Sequence, residues 1–207
     1  IDPGTVGNKR RFLLSEFAGR TTLLQKIQPI ASGFSKNSPQ IVELMEQIKE
    51  MEHQGYQFEG ADASFEMIVK KFLGQFTPHF QVLLYKTMGE FPARDGRMQS
   101  TAMIHVAVDG KEEITAAMGN GPVNALDTAL RKALMVFYPT LKQVHLIDYK
   151  VRVLDTGKAT ESRVRVLIES TNGQESWTTV GISTDVIEAS WNALVDSIEY
   201  ILQKGCD

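Results

Sequence analysis

A strand hairpin that appears twice constrains this chain more than any other feature. Asp109-Gly110 separates the apolar-alternating runs Met98 to Asp109 and Lys111 to Met118, and Asn172-Gly173 recurs in the same context 63 residues later (173 minus 110). Both dipeptides predict two-residue type I′ turns joining antiparallel strands. The repetition extends outward. Tyr85-Lys86 matches Tyr149-Lys150 (149 minus 85 is 64), and Ala129-Leu130 matches Ala193-Leu194 (193 minus 129 is 64). Each unit reads strand, strand, strand, helix, so the fold class is α+β. A small helical segment precedes two pseudo-symmetric βββα units. The seam between two such copies is a natural place for a ligand or a second subunit, which points to binding and regulation before chemistry.

Punctuation along the chain fixes the boundaries. Residues 1–79 form a helical linker subdomain, and 80–207 form the repeated domain, with units at about 80–141 and 142–207. Thr21, Leu23, Leu24 and Ile27 predict a short helix ended by Pro29, and a Ser-, Gly- and Asn-rich loop from Ala31 to Ser38 looks hinge-like. Ser38 as N-cap and Pro39 at the first helical position open a helix with Ile41, Leu44, Met45, Ile48 and Met51 on one stripe, and Gly55 stops it. A third helix runs from about Ala61 to Leu73 with Phe65, Ile68, Val69, Phe72 and Leu73 on one face and Gly74 as its C-cap. Unit one has strands near Gln81 to Glu90, Met98 to Val108 and Glu112 to Met118, then a helix from Pro122 to Tyr138 stopped by Pro139. Unit two has strands near Leu146 to Leu154, Glu161 to Ser170 and Glu175 to Ile182, then a helix from Val186 to Gln203 stopped by Gly205. Both repeat helices carry apolar residues at the spacing that buries one face on a sheet.

Composition excludes several function classes. The chain of 207 residues carries one cysteine, Cys206, so no internal disulfide can form, and a reducing, cytoplasmic setting is expected. A net charge of -3 gives no broad basic field for nucleic acid; Asn8-Lys9-Arg10-Arg11 is a lone basic run read as a solvated or domain-contacting segment. No run of about 18 apolar residues is present to span a membrane. The opening Ile1-Asp2-Pro3-Gly4 is neither an initiator nor a signal peptide and reads as a fragment of a longer protein. His53, His79, His105 and His145 are scattered over different elements with no pair at ligand spacing, so no metal site is expected, and no catalytic constellation emerges. His105 reads as a packed or cross-strand histidine, and Met98, Met103 and Met118 as core residues.

The turn Gly119-Asn120-Gly121-Pro122-Val123-Asn124 enters the first repeat helix. A helix start offers free backbone N–H groups and a partial positive charge suited to a carboxylate, and Gly121 allows close approach. The turn lacks the Lys-Ser/Thr of a phosphate-binding loop. Its counterpart, Gly181-Ile182-Ser183-Thr184-Asp185-Val186, places Asp185 three residues before Glu188, which resembles a capping box. An Asp there competes with an anionic ligand and suits an ammonium group. A free amino acid carries both groups, and two unequal helix starts at one seam would complement it.

Several long motifs carry a family resemblance. Val6-Gly7-Asn8-Lys9-Arg10-Arg11-Phe12-Leu13, Ser15 to Arg20, Gly55-Tyr56-Gln57-Phe58-Glu59, Gly119-Asn120-Gly121-Pro122-Val123, Asp148 to Asp155 and Ser176 to Gly181 together resemble the C-terminal part of citramalate synthases, in the 2-isopropylmalate and homocitrate synthase family. The resemblance covers essentially the whole chain. It implies a catalytic TIM barrel, outside this chain, that uses a divalent metal to condense acetyl-CoA with pyruvate. It also implies a homodimeric regulatory domain that binds an end-product amino acid, isoleucine or alternatively leucine, so that this chain itself holds no catalytic residue and no cofactor. By motif, Asn120, Gly121, Pro122, Val123 and Asn124 are the effector candidates, with Ser183, Thr184 and Val186 following by the repeat. The Ser15 to Arg20 segment matches a linker motif that reaches the neighbouring subunit's active site, making Glu16 and Arg20 candidate contacts, although Ala18 stands where the family carries Ser. The competing readings are a leucine-sensing domain of a 2-isopropylmalate or homocitrate synthase relative, and a structural dimerisation module without an effector.

Overall fold

The computed structural model describes residues 25–30, 38–89, 99–154 and 161–205. Expectations at Glu16, Arg20, the basic run, the Ala31 to Ser38 loop (save Ser38) and Cys206 lie outside these residues. Helix α1 (Pro39–His53) and helix α2 (Asp62–Phe72) lead into strands β1 (Gln81–Gly89), β2 (Ser100–Val108) and β3 (Lys111–Gly119) and helix α3 (Pro122–Leu134). A 3-10 turn (Pro139–Gln143) then precedes β4 (His145–Val153), β5 (Val164–Thr171), β6 (Ser176–Ser183) and α4 (Val186–Gln203). Two antiparallel sheets result, β1-β2-β3 and β4-β5-β6, each followed by its helix. The α+β architecture of paired βββα units is the one the repeated hairpin implied.

The repeat holds in detail, with a corrected offset. The register of β1 slips between Val82 and Leu84, and that of β4 slips between Leu146 and Asp148, the same bulge 64 residues on (146 minus 82). In the first hairpin Asp109 and Gly110 both take positive φ, 47° and 77°, as a type I′ turn requires. The second hairpin departs from expectation. Gly173 takes φ 86° while Asn172 does not turn positive, and Asn172 N–H donates to Glu175 O, so the turn centres on Gly173-Gln174. A glycine at the first central position is the type II′ pattern. Asn172 instead lies outside the turn, and its Oδ1 accepts the N–H groups of Gln174 and Glu175. The matched turn positions are therefore 109 and 173, also 64 apart, and the unit repeats with one offset throughout.

Period-two alternation decides which face of β2 is buried. Ser100, Ala102, Ile104, Val106 and Val108 point inward, and Leu126, Leu130, Ala133 and Leu134 of α3 close over them. Val166 and Ile168 of β5 with Trp177, Trp191, Leu194 and Ile198 repeat the arrangement, and both units share one continuous core. Helix α3 ends at Leu134, one turn before the expected Tyr138, and Pro139 opens the 3-10 turn rather than simply terminating the helix. Proline at the first position of a tight turn costs no hydrogen bond, which reconciles it with continued helical winding.

The helical segment docks on unit two. Ile41, Leu44 and Ile48 of α1 join Phe58, Phe65, Val69 and Val180 in a second cluster. Met67 and Ala63 of α2 face the main core instead, so α2 buries two sides where a single stripe was expected. Gly55 and Gly74, at φ 106° and 67°, end α1 and α2 as the sequence indicated. Ser38 occupies the N-cap position of α1 without a side-chain cap bond. Polar ties reinforce the docking: Arg165 Nη1 donates to Gly55 O at 2.8 Å, and Val180 N–H donates to Ser64 Oγ at 2.9 Å. Ser64 is fully buried. Ser64→Ala should therefore strand a buried strand-edge N–H and lower unfolding stability by about 2 kcal/mol, read as a shifted urea midpoint with unchanged slope. The outer face of the first sheet has no such cover. Leu84, Met88, Ile114 and Met118 are exposed there, which corrects the core assignment of Met118, and His105 pairs across strands with Glu112 at 2.7 Å.

Candidate functional site

The turn before α3 is held by backbone proximity. A Cβ on Gly119 would lie 2.4 Å from Ala125 N, so the end of β3 and the first helical turn touch directly. Gly121 is the N-cap in extended conformation and Pro122 occupies N1. The first helical hydrogen bond is Ala125 N–H to Gly121 O, and no side chain caps the start, which leaves the Val123 and Asn124 N–H groups ahead of the helical ladder. The Asn124 side chain folds back to accept Asn120 N–H at 3.1 Å. A Cβ at Gly121 would meet no atom within 4 Å, because the space beside it is open.

That space is a cleft of about 460 Å³. Asn120, Gly121, Pro122, Val123 and Asn124 line one wall, joined by Asp127 and Arg131 one and two turns along α3. The other wall comes from unit two: His145, Leu146 and Tyr149 of β4. Asp127 is buried, and its carboxylate takes a two-pronged contact from Arg131, Nε to Oδ1 at 3.0 Å and Nη2 to Oδ2 at 2.5 Å. Arg131 Nη1 also donates to Val144 O at 3.0 Å, which ties the helix to the start of β4. The Tyr149 hydroxyl bonds Ser190 Oγ of α4 at 2.8 Å. The cleft is thus a seam between the units, with a helix start, a neutralised ion pair and an aromatic wall. It can take a small ligand that carries a carboxylate and an apolar tail.

All five unit-one candidates line this cleft. Ser183, Thr184 and Val186 do not line it, so within one chain the two helix starts do not share this cleft. At the start of α4, Asp185 Oδ1 accepts Ile187 N–H at 2.7 Å. Glu188 accepts the Ser183 hydroxyl, and Ser183 Oγ accepts Asp185 N–H, so the anticipated capping box is relayed through Ser183. At the matched position in unit two the space is taken by an aromatic pair. Trp191 stacks on Tyr85 with centroids 4.6 Å apart, and burial, then the Glu188 and Asp185 carboxylates, hold the Tyr85 hydroxyl above its ordinary pKa. Trp191 is the 64-residue counterpart of Asp127, and Tyr85 that of Tyr149. The two helix starts differ in their cap, Gly121 leaving that of α3 without a side-chain cap and Asp185 capping that of α4, and in a matched residue within the helix, Asp127 against Trp191.

Asp127, Arg131, His145, Leu146 and Tyr149 were not singled out from the sequence. The 64-residue match of Ala129 with Ala193 already places Asp127 opposite Trp191, and that asymmetry was the signal that could have found the cleft. Among the described residues no group of three or more His, Cys, Asp or Glu is placed to hold a metal, and no helix is long and apolar enough to cross a membrane.

The profile of the LeuA allosteric (dimerisation) domain matches residues 59–202. The chain is 50% identical over 205 residues to the (R)-citramalate synthase of Geobacter sulfurreducens, covering 99% of this chain and 39% of that protein. It is 47% identical over 204 residues to that of Aquifex aeolicus, covering 99% and 39%, and 43% identical over 209 residues to that of Synechocystis, covering 98% and 38%. The chain therefore spans about two fifths of the length of the curated relatives it matches.

Proposed function

The chain belongs to the LeuA allosteric (dimerisation) domain family, as a regulatory domain of the citramalate synthase type, and we propose that it senses isoleucine in the α3 cleft and dimerises beside it. The observation that carries this reading is the uncapped start of α3 opening into a cleft whose far wall belongs to the other unit. The effector carboxylate binds the Val123 and Asn124 N–H groups, where the helix dipole favours negative charge. Its aliphatic side chain lies against Val123, Leu146 and the Tyr149 ring. On this reading, which the relatives' name supports, the parent is a cytoplasmic enzyme that condenses acetyl-CoA with pyruvate on a barrel, with a divalent metal, outside this chain. Isoleucine is the end product such an enzyme would be expected to sense.

A second copy of the chain covers the mouth of the cleft. Tyr149, Val151 and Val153 share one face of β4, and Val151 and Val153 are 44% and 49% exposed, an apolar stripe running out of the cleft. Val151→Asp with Val153→Asp should convert a dimer into a folded monomer in sedimentation analysis; an unchanged dimer would place the interface elsewhere. Isoleucine at a hundredfold excess over its Kd should stabilise the chain by about 2.7 kcal/mol, raising Tm by roughly 5–10 °C. Leucine is the comparison, since the two differ only in where one methyl sits and an apolar pocket discriminates at that scale by about 1–3 kcal/mol. A Tm indifferent to both amino acids would leave a structural dimerisation module.

A further inference from the structure

The segment between α2 and β1 is gripped by the ends of both repeat helices. Glu199 of α4 is 3% exposed, and its carboxylate accepts His79 N–H at 3.0 and 3.2 Å and Phe80 N–H at 3.4 Å. Its Oε2 also lies 2.9 Å from His79 Nδ1. One turn later, Gln203 Nε2 donates to Thr77 O at 2.6 Å. From the other side the Tyr138 hydroxyl donates to His79 O at 2.7 Å, and its ring meets the His79 ring edge-on. Tyr138 is itself fixed to α3, because its N–H donates to Leu134 O at 2.8 Å. The backbone of residues 77–80 finds partners on side chains of α4 and on Tyr138, one turn beyond the end of α3.

This clasp has the α3 cleft at one end. Helix α3 has 13 residues, about 20 Å at 1.5 Å per residue. Its first turn lines the cleft, and its last residue, Leu134, holds Tyr138 through the Tyr138 N–H bond. If α3 moves as a rigid body, a displacement at Pro122 to Asn124 reaches His79 O through two hydrogen bonds, Tyr138 N–H to Leu134 O and Tyr138 O–H to His79 O. The clasp also borders a second cleft of about 650 Å³, lined by Phe76, Phe80, Val82 and Val195, which gives the segment room to shift. Lys71 at the end of α2 bonds Asp196 of α4 at 3.1 Å and lies over the Phe76 ring, so α2 moves with what the clasp holds.

We propose that the Tyr138–His79–Glu199 clasp is the joint through which occupancy of the α3 cleft repositions the helical segment α1–α2. The proposal rests on the effector reading of that cleft. Tyr138 and Glu199 act as positioning residues that touch no ligand. Coupling of this kind requires that the effector prefer one of two placements of the joint, and a contiguous path of packed elements counts as a mechanism only when a break in it changes the response.

The test is amide hydrogen exchange on the full chain, with and without saturating isoleucine, for the unaltered protein and Tyr138→Phe. In the unaltered protein isoleucine should slow exchange at His79, Phe80 and the α2 amides by at least about tenfold. Tyr138→Phe removes one hydroxyl and should keep isoleucine affinity within about threefold while the α2 response disappears. Glu199→Gln, which keeps the shape but halves the acceptor, should weaken the response in the same direction. An α2 response in Tyr138→Phe equal to that of the unaltered protein overturns the proposal. If isoleucine binds neither protein, the effector reading fails on its own. The joint is then judged without ligand: faster exchange across residues 77–80 and α2 in Tyr138→Phe, with α3 unchanged, supports it, and unchanged exchange at both overturns it.

Discussion

Asp127→Trp should weaken isoleucine binding at least a hundredfold, a loss of about 2.7 kcal/mol, while the domain stays folded. The reasoning comes from the other half of the molecule. At the matched position Trp191 fills the equivalent space and stacks on Tyr85, and Tyr149 stands ready to receive Asp127→Trp in the same way. Offset-stacked aromatic pairs are favourable in their own right. Removing the Asp127 carboxylate releases Arg131, which is partly exposed and keeps its bond to Val144 O, so no buried charge is orphaned. Titration calorimetry reads the affinity and near-ultraviolet circular dichroism the fold. Undiminished isoleucine binding in a folded variant would move the effector site away from α3.

Gly181→Ala is the substitution expected to damage the fold most among the described glycines. A Cβ there would sit 2.0 Å from Ala189 O and 3.0 Å from Ala193 N, both backbone atoms of α4. No rotamer can relieve a clash with helix backbone; β6 and α4 must part, and with them the Thr179 hydroxyl bond to Ala193 O at 2.7 Å. Overpacking of this kind costs about 3 kcal/mol. Gly121→Ala is the control. Its Cβ would meet nothing within 4 Å and its backbone is extended, so chemical denaturation should show stability close to that of the unaltered chain. Equal stability of the two variants would mean that the close approach of β6 to α4 is not required.

The repeated unit was legible because its signals are local. Strand alternation, the Asp109-Gly110 turn, Pro122 and Gly205 at helix ends and the stripe Leu126, Leu130, Ala133 and Leu134 each depend on a few neighbouring residues. The second turn misled because Asn172-Gly173 satisfies the same local rule as Asp109-Gly110, while the register of β5 on β6 puts Gly173 one place earlier in the turn. The two-sided burial of α2 could not be read either, since Met67 and Ala63 look like ordinary helix residues until unit two is packed against them. The same is true of the site. The helix-start turn is contiguous in sequence and was found, whereas its far wall, His145, Leu146 and Tyr149, arrives from the other unit. The expectation that Ser183, Thr184 and Val186 join the cleft followed from treating the repeat as symmetric. One Asp-to-Trp difference breaks that symmetry.

The most direct measurement is calorimetric titration of the chain with isoleucine, run beside Asp127→Trp. One equivalent per chain, lost in the variant, is the expected result, because the start of α3 is uncapped while that of α4 is capped by Asp185 and Trp191 stacks on Tyr85 behind it. No heat and no change in Tm at millimolar isoleucine would contradict the sensor. Two equivalents per chain would contradict the asymmetry from which the site was derived.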